Sequence, residues 1–196
     1  MLKIGITGGI GSGKTTVCRL FERLGIPVYY ADDRAKALMV ENLAIKNALL
    51  QAFGEETYFA NGSLNRAYLS AIVFNDKNKL AVLNSLTHTI VIQDSIEWHF
   101  QQKNVPYTLK EAALLIESKS YLQLDKLILV TAPLEMRIER VVRRDNTPPE
   151  AVCARIAQQL SDDEKRAFAD FFIENDGSRD LETQVLTIHQ ILSKKI

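Results

Sequence analysis

Residues 5–17 of the chain read "GITGGIGSGKTTV", and Gly8 to Thr15 match the pattern G-x-x-x-x-G-K-[ST] without a gap. Glycines let a backbone approach a polyphosphate closely, and a helix that starts at the end of such a loop adds the positive end of its dipole. The stretch therefore predicts a site for the phosphates of a nucleoside triphosphate. In this pattern Lys14 reaches the β- and γ-phosphates, and the Thr15 hydroxyl coordinates Mg²⁺.

The segments on either side of the loop have the periodicity that this motif requires. Leu2, Ile4 and Ile6 alternate before it, which is typical of a strand. After it, apolar residues recur at helical spacing at Val17, Leu20, Phe21 and Leu24. Gly25 follows where a helix would end, and "IPVYYA" predicts a second strand. This order favours phosphate binding over a glycine-rich turn that only packs a strand against a helix.

The rest of the chain predicts a parallel α/β sheet that a helical insertion interrupts. "KEAALLIES", "KLILVTAP" and "FFIEN" are expected to be three further strands, because buried parallel strands have near-continuous apolar centres. Residues 34–108 are polar and helical in tendency. We therefore expect a nucleotide-binding core of residues 1–33 and 109–196, with helices flanking its sheet, and a mostly helical insertion of residues 34–108.

Helix signals follow the fourth predicted strand. "LEMRIERVVRRD" predicts a helix that starts after Pro133. Thr147 with Glu150 and Ser161 with Glu164 each fit a capping box, so two short helices are expected there. A closing helix is indicated by the apolar stripe of Leu181, Val185, Ile188 and Leu192.

Composition excludes several classes of protein. The 196 residues carry 24 basic and 24 acidic side chains, so no net field attracts nucleic acid or an anionic membrane. There is neither a signal-peptide pattern nor an apolar run of membrane-spanning length. We expect a cytoplasmic protein, a monomer or small homo-oligomer, that binds neither nucleic acid nor membrane. Cys18 and Cys153 are expected to be free thiols.

Two classes of nucleotide-binding protein lack support. A GTPase needs an N-K-x-D sequence to bind guanine, but Ala81 stands where Asn78-Lys79 would require the aspartate. A motor or transporter ATPase usually has a longer chain and an apolar strand that ends in a strong acid. Glu117 after "AALLI" and Asp125 before "KLILV" are only loose candidates for that acid.

A small-molecule kinase needs a carboxylate that orients or deprotonates the acceptor hydroxyl. Asp32 and Asp33 follow the second predicted strand, which we expect to lie beside the end of the first strand and its phosphate loop. One of them is therefore a candidate for that carboxylate. The alternative is a helix N-cap and a solvated surface acid.

Arginines of the predicted helix after Pro133 are candidates for binding phosphate oxygens. Arg137, Arg140 and Arg144 fall on one helical face, so their three guanidinium groups could face one anion. The alternative is a solvated basic face paired with Glu135, Glu139 and Asp145. The three histidines share no metal-ligand spacing.

With these residues in hand, the chain resembles the dephospho-CoA kinase family along nearly its whole length. That family phosphorylates the 3′-hydroxyl of the ribose in dephospho-CoA to give coenzyme A, with ATP as donor. The matching segments are "TGGIGSGKTTV", "LGIPV", "SLNRAYLSAIVF", "LNSLTH", "ALLIE", "RIERVVRRD" and "ARIAQQLSDDEKRAFADFFIEN". Each later segment is weak alone, but their order behind this version of the phosphate loop is specific.

The resemblance implies a P-loop fold and a role for each matching residue. Asp32 would be the catalytic aspartate, with Lys14 the second catalytic residue. ATP contacts are implied for Gly9, Ile10, Gly11, Ser12, Gly13, Lys14, Thr15, Thr16, Arg140, Arg144 and Asn175. Arg66 and His88, with Asp32, would contact dephospho-CoA, which the insertion holds. A short helical lid, about residues 137–160, would close on the phosphates.

The chain departs from the family's pattern at four positions. Tyr30 replaces the first acid of an Asp-Ala-Asp sequence, and Thr89 and Ala113 replace prolines. Arg137 replaces a frequent glutamine. None of these changes removes the phosphate loop, Asp32 or the arginine helix. A kinase of another nucleoside or sugar hydroxyl and a non-catalytic nucleotide-binding switch remain alternative functions.

Overall fold

Five strands form one sheet in the computed structural model, which describes residues 1–74 and 76–194. The strands are β1 (Leu2–Thr7), β2 (Val28–Tyr30), β3 (Tyr107–Glu111), β4 (Lys126–Thr131) and β5 (Phe171–Glu174). Their order is β2-β3-β1-β4-β5, and every pairing is parallel. The predicted parallel α/β sheet is confirmed.

The helices follow the predicted distribution between the sheet region and the insertion. They are α1 (Lys14–Arg23), α2 (Ala31–Glu41), α3 (Leu43–Phe53), α4 (Arg66–Phe74), α5 (Lys77–Gln101), α6 (Leu134–Asp145), α7 (Pro149–Ile156), α8 (Asp162–Arg166) and α9 (Leu181–Ser193). Two 3₁₀ helices span Glu55–Thr57 and Ser120–Gln123. Among the described residues, none of these helices combines the length and the apolar character needed to cross a bilayer.

The chain divides into two compact units. One consists of Met1–Tyr30 and the chain from His99 onward, and contains the sheet; the other is Ala31–Trp98. The predicted boundaries were 33/34 and 108/109, so the helical unit starts three residues earlier and ends ten residues earlier than the predicted insertion. Residues 107 and 108 belong to β3.

The core of the sheet unit explains the apolar patterns at both ends of the chain. Ile4 and Ile6 of β1 are fully buried, as is Phe21 of α1. The face of α9 that packs on this cluster consists of Val185, Ile188 and Leu192. Replacing Phe21 with alanine would remove a fully buried ring, a loss of about 3–5 kcal/mol of stability.

Strand β3 differs from the prediction in its bounds. It runs from Tyr107 to Glu111, whereas residues 113–119 form turns. Lys110 and Glu111 interrupt the apolar pattern, which concealed a strand whose other residues, Tyr, Thr and Leu, pack well in sheets. The apolar run Leu115-Ile116 instead packs with Leu127 in a separate small cluster.

Strand β3 also lies between β2 and β1, so the expected direct adjacency of the first two strands is wrong. Glu111 is in register with Ile6 on one side and with Tyr30 on the other. Strand β3 enters the sheet only after the whole helical unit has been crossed in sequence. Local periodicity in the first 33 residues therefore contains no information about it.

One of the two predicted capping boxes is confirmed. Ser161 accepts from the Glu164 N–H, and the Glu164 carboxylate accepts from the Ser161 N–H at 2.7 Å. The Thr147–Glu150 box is wrong, since α7 begins at Pro149 with Pro148 as its N-cap. Proline has a φ suited to the first turn and no N–H that needs an acceptor, so the side-chain cap is dispensable there.

The helical unit has a core of its own. Leu38, Ile45, Leu49 and Leu69 are buried in it. Arg34 of α2 makes two hydrogen bonds, each 3.0 Å long, to the carboxylate of Asp94 in α5. This bidentate pair joins the first and last helices of Ala31–Trp98 across most of its sequence.

Candidate active site

The phosphate loop connects a buried strand to the start of a helix. Strand β1 ends at Thr7 and α1 begins at Lys14, so Gly8–Gly13 form the loop. Gly11 and Gly13 have φ values of 80° and 93°, a region that glycine adopts without strain. A Cβ atom on Gly13 would also collide with the Asn175 amide. The glycine pattern is therefore required by both backbone conformation and space.

All six carbonyl oxygens of this loop accept hydrogen bonds from the protein. The donors are Lys14 Nζ to Gly8 O (3.0 Å) and Gly9 O (3.4 Å), Arg137 Nε to Ile10 O (3.0 Å), Arg140 Nη1 to Gly11 O (3.4 Å), Asn175 Nδ2 to Ser12 O (2.8 Å) and Val17 N to Gly13 O (3.1 Å). In a trans peptide the N–H points opposite to the C=O. Holding the carbonyls on these donors therefore turns most of the N–H groups toward the other side of the loop. Two are engaged within the protein: Ser12 N donates to Gly9 O at 3.1 Å, and Ile10 N donates to Gln159 Oε1.

The start of α1 is suited to an anion. No described side chain caps this helix, and its first turn contains no acidic residue. The first turn of a helix leaves N–H groups without intrahelical acceptors, and the helix dipole adds positive potential. The buried Ser12 Oγ has no hydrogen-bond partner among the described residues of its unit, while Thr15 and Thr16 are exposed. These groups fit a bound polyphosphate.

Lys14, the first residue of α1, directs its side chain back to the phosphate loop. Its side chain is buried, and its ammonium group bonds the carbonyls of Gly8 and Gly9. The positive charge is therefore held at the loop itself.

Three of the four arginines of α6, namely Arg137, Arg140 and Arg144, were predicted to face one anion, but they do not share one partner. Arg137 is buried against the loop, and Arg140 donates to Gly11 O and, at 3.0 Å, to Asn175 O. Arg144 instead makes hydrogen bonds of 2.6 Å and 3.0 Å to Asp145. The prediction that these three guanidinium groups face one anion does not describe these contacts. Arg137 and Arg140 bind loop carbonyls, whereas Arg144 binds Asp145.

Asp145 holds a second arginine as well. Arg155 Nη1 donates to Asp145 Oδ2 at 3.0 Å. Hydrogen bonds from Arg144 and Arg155 hold the pKa of Asp145 well below its usual range. Two arginines of the predicted lid segment therefore share one carboxylate.

Asn175 contacts the loop through its side chain, and its backbone bonds two neighbouring residues of the sheet unit. Its amide donates to Ser12 O, and its carbonyl accepts from Arg140. Its N–H is bonded to Thr131 O at 2.8 Å, which fixes the residue to the end of β4. The side chain thus acts on loop geometry.

The two candidate aspartates lie in the first turn of α2. That helix begins at Ala31, directly after β2, so neither aspartate is its N-cap. Asp33 bonds Lys36 at 2.7 Å. The exposed carboxylate of Asp32 makes no hydrogen bond or ion pair with a described residue of its own unit. This carboxylate is accessible to a ligand.

The remaining predicted ligands, Arg66 and His88, are exposed residues of the helical unit. Arg66 is the first residue of α4, and His88 lies within α5. The described residues contain no cluster of three His, Cys, Asp or Glu side chains suited to a metal ion. Both cysteines are free thiols, as predicted, and burial raises the pKa of Cys18.

Sequence reasoning missed an acid close to the loop in the sheet. Glu111 is buried at the end of β3, in register with Ile6, two residues before the loop begins. The acids considered from sequence have other partners: Glu117 accepts from Leu160 N, and Asp125 accepts from Lys3 N. The alternation of Tyr107, Leu109 and Glu111 was the available signal.

Comparison with known proteins gives a consistent family. The model of the dephospho-CoA kinase family matches residues 2–180. A dephospho-CoA kinase of Bacteroides fragilis is 39% identical over 195 residues, which cover 100% of this chain and 95% of the relative.

Solved structures agree with this match. The protein TT1252 of Thermus thermophilus has 33% identity and a TM-score of 0.86, with 100% of this chain and 98% of that chain covered. A dephospho-CoA kinase from Campylobacter jejuni has 28% identity and a TM-score of 0.73, with 98% and 97% covered. The resemblance drawn from the motifs is confirmed: this chain belongs to the dephospho-CoA kinase family.

Proposed function

We propose that this protein transfers the γ-phosphate of ATP to the 3′-hydroxyl of the ribose in dephospho-CoA, giving coenzyme A and ADP in the final step of coenzyme A biosynthesis. Family membership supports the reaction. The observation that carries the donor side is the phosphate loop, whose six carbonyls are all bonded to the protein while the uncapped start of α1 adjoins it.

The donor phosphates would bind along this loop. Backbone N–H groups of the loop and of the first turn of α1, other than those of Ile10 and Ser12, which already donate to Gln159 and Gly9, would hold the β- and γ-phosphates together with the Ser12 hydroxyl. Lys14 would move from the loop carbonyls to the phosphates. Mg²⁺, when bound, would neutralise charge on the β- and γ-oxygens. The exposed Thr15 hydroxyl is its proposed protein ligand, and phosphate oxygens and water would complete the coordination.

The acceptor would be activated by Asp32. Its carboxylate would orient the ribose hydroxyl and accept its proton as the oxygen attacks the γ-phosphorus and ADP leaves. Arg66 and His88 are proposed to hold dephospho-CoA in the insertion. Arg140 and Arg144 are proposed to contact phosphates. Residues 137–160 are proposed as the lid, with Arg137 and Gln159 as its points of attachment to the loop. Within the lid, Arg144 would exchange Asp145 for a phosphate oxygen. Asn175 is proposed to approach the adenine.

We also propose a cytoplasmic protein that is a monomer or small homo-oligomer and has no nucleic-acid or membrane partner. The balance of 24 basic and 24 acidic residues supports this reading.

An acceptor panel tests the function. The protein would be incubated with ATP-Mg²⁺ and dephospho-CoA, nucleosides, gluconate or shikimate, and ADP production would be measured. We expect the highest kcat/KM with dephospho-CoA. Higher kcat/KM with another acceptor would favour a different small-molecule kinase, and nucleotide binding without acceptor-dependent ADP would indicate a non-catalytic switch.

A further inference from the structure

Ile10 lies in the turn of the phosphate loop, and side chains from two other segments bind both of its backbone groups. Its N–H donates to Gln159 Oε1 at 2.9 Å, and its carbonyl accepts from Arg137 Nε at 3.0 Å. Arg137 belongs to α6, and Gln159 follows α7. An isoleucine side chain cannot bind phosphate, so the N–H was this residue's means of contacting ATP, and it is engaged.

The guanidinium group of Arg137 is buried and is bound at Nε and Nη1. Nη1 lies 3.3 Å from Asp162 Oδ2, and only 8% of the side chain is exposed. Nη2 occupies the space in which a Cβ on Gly9 would lie, and Gly11 packs against the Arg137 backbone. This arginine is therefore not a solvated surface residue, and two of its three guanidinium nitrogens are bound to protein oxygens.

Gln159 is held by its own surroundings. The N–H of the next residue, Leu160, donates to Glu117 Oε1 at 3.1 Å. The same oxygen lies 3.1 Å from Nζ of Lys165, which is completely buried. The capping box at Ser161 fixes the start of α8 immediately afterward. The segment that contains Gln159 is thus anchored to the ion pair of buried Lys165 and half-buried Glu117.

We propose that Arg137 and Gln159 are positioning residues that clamp the phosphate loop through Ile10 and thereby set the affinity for the phosphates of ATP without touching them. Holding the loop in one conformation lowers the entropy lost when the phosphates bind. The inference deepens the proposed function at its donor site. It concerns ATP binding alone and does not depend on the identity of the acceptor.

Matched methionine variants test the clamp. Arg137→Met and Gln159→Met each remove one bond to Ile10, while Arg143→Met and Gln158→Met change exposed neighbours of the same type. Affinity for a non-hydrolysable ATP analogue and for adenosine would be measured on the full chain. We expect each clamp variant to bind the analogue about tenfold more weakly than its control, the value of one hydrogen bond near ~1.4 kcal/mol. Adenosine affinity should be unchanged.

Two further measurements separate positioning from direct contact. Arg137→Gln keeps an N–H donor but loses the charge, so it should recover most of the analogue affinity, whereas Arg137→Lys would be the better variant if charge acted on phosphate directly. The double methionine variant should lose less than the product of the two single losses, since both bonds hold the same residue, Ile10. Thermal unfolding midpoints would identify a variant that has lost its fold.

The proposal is overturned if the clamp variants bind the analogue as their controls do, if adenosine affinity falls equally, or if only Arg137→Lys retains affinity. None of these results bears on the acceptor. Conversely, a chain that prefers another acceptor but loses analogue affinity as described would contradict the proposed function and leave the clamp intact.

Discussion

Asp32 and Asp33 are adjacent acids with different surroundings, which makes them a matched pair for testing the catalytic carboxylate. Asp33 is bonded to Lys36, while the Asp32 carboxylate has no partner in the described part of its unit. We expect Asp32→Asn to lower kcat by ~10²-fold or more, the usual contribution of a positioned acid or base. Asp33→Asn should stay near the wild-type kcat, and ATP affinity should change little in both.

Steady-state kinetics with dephospho-CoA, together with binding of an ATP analogue, would check this pair. Equal kcat values for the two variants would exclude Asp32 from the proposed role. A loss confined to ATP affinity would place its effect on the donor side.

The contacts of single residues show how far sequence reasoning extends. The identity of Lys14 and the loop glycines followed from a local pattern of eight residues. The partner of Arg137 could not be predicted in this way, because Ile10 is 127 positions away in the sequence. The same holds for Asn175, whose hydrogen bond to Ser12 spans 163 positions. Helical spacing put the arginines on one face, but only the folded chain determines which oxygen each one meets.

At the scale of elements, a substitution of Arg144 in α6 tests whether the proposed lid contacts the phosphates. Its side chain is 61% exposed and is bonded to Asp145, so binding a phosphate requires an exchange of partner. We expect Arg144→Gln to lower kcat at least tenfold, because a charge-assisted hydrogen bond contributes ~1.5–3 kcal/mol. The exposed neighbour Arg143, changed to Gln, is the control. Equal kcat values for the two variants in the dephospho-CoA assay would contradict the lid role of Arg144.

Burial of Lys110 in β3 predicts that the stability of the protein depends on pH. Burial lowers the pKa of Lys110 to about 8, from a usual value of 10.5. Between these values the unfolded chain binds the proton and the folded chain does not, so the contribution of Lys110 to stability rises with pH. Below about pH 8 both states are protonated, and the burial penalty is fully present.

Comparing wild type with Lys110→Met isolates this effect. From pH 8 to 9.5 the free energy of unfolding of the wild type should rise relative to the variant, by at most ~1.4 kcal/mol per pH unit. Denaturant titrations at each pH would measure it, with the exposed Lys79→Met as the control for loss of one lysine. If the free energies of unfolding of Lys110→Met and of the wild type changed with pH in the same way, the lowered pKa of Lys110 would be contradicted.

The elements themselves were predictable where burial follows a regular period. Strand β1, helices α1 and α9, and strand β5 appear where their apolar residues recur. Strand β3 was misplaced because a lysine and a glutamate occupy its last two positions, and because its stabilising neighbours are β1 and β2, far away in sequence. Local pattern cannot report cross-strand packing of that kind.

At the scale of the whole molecule, the boundaries between the two compact units coincide with a change in composition, and no linker sequence marks them. The polar, helical stretch after residue 33 revealed the interruption of the sheet. Its limits were harder to predict, because α2 begins directly after β2 and α5 continues past the unit boundary to Gln101. Neither limit is marked by a proline- or glycine-rich segment in the sequence.

If the sheet unit binds ATP and the helical unit binds dephospho-CoA, each substrate should protect a different part of the chain from amide hydrogen exchange. A ligand that binds the folded state suppresses local opening around its site. We expect an ATP analogue with Mg²⁺ to slow exchange in residues 8–17, which include the loop and the start of α1. Dephospho-CoA alone should slow exchange in α4 and α5. Exchange measured by mass spectrometry on peptides from each unit would check both.

Lys14→Ala supplies the control for this experiment. Because this variant lacks the lysine proposed to bind the γ-phosphate, the ATP analogue should protect the loop less from exchange. Protection by dephospho-CoA should persist, because that substrate is assigned to the other unit. Arg66→Gln should show the reverse pattern. Protection of the helical unit by the ATP analogue alone, or loss of dephospho-CoA protection in Lys14→Ala, would contradict the assignment of one substrate to each unit. Protection that follows each variant as described would support it independently of any catalytic measurement.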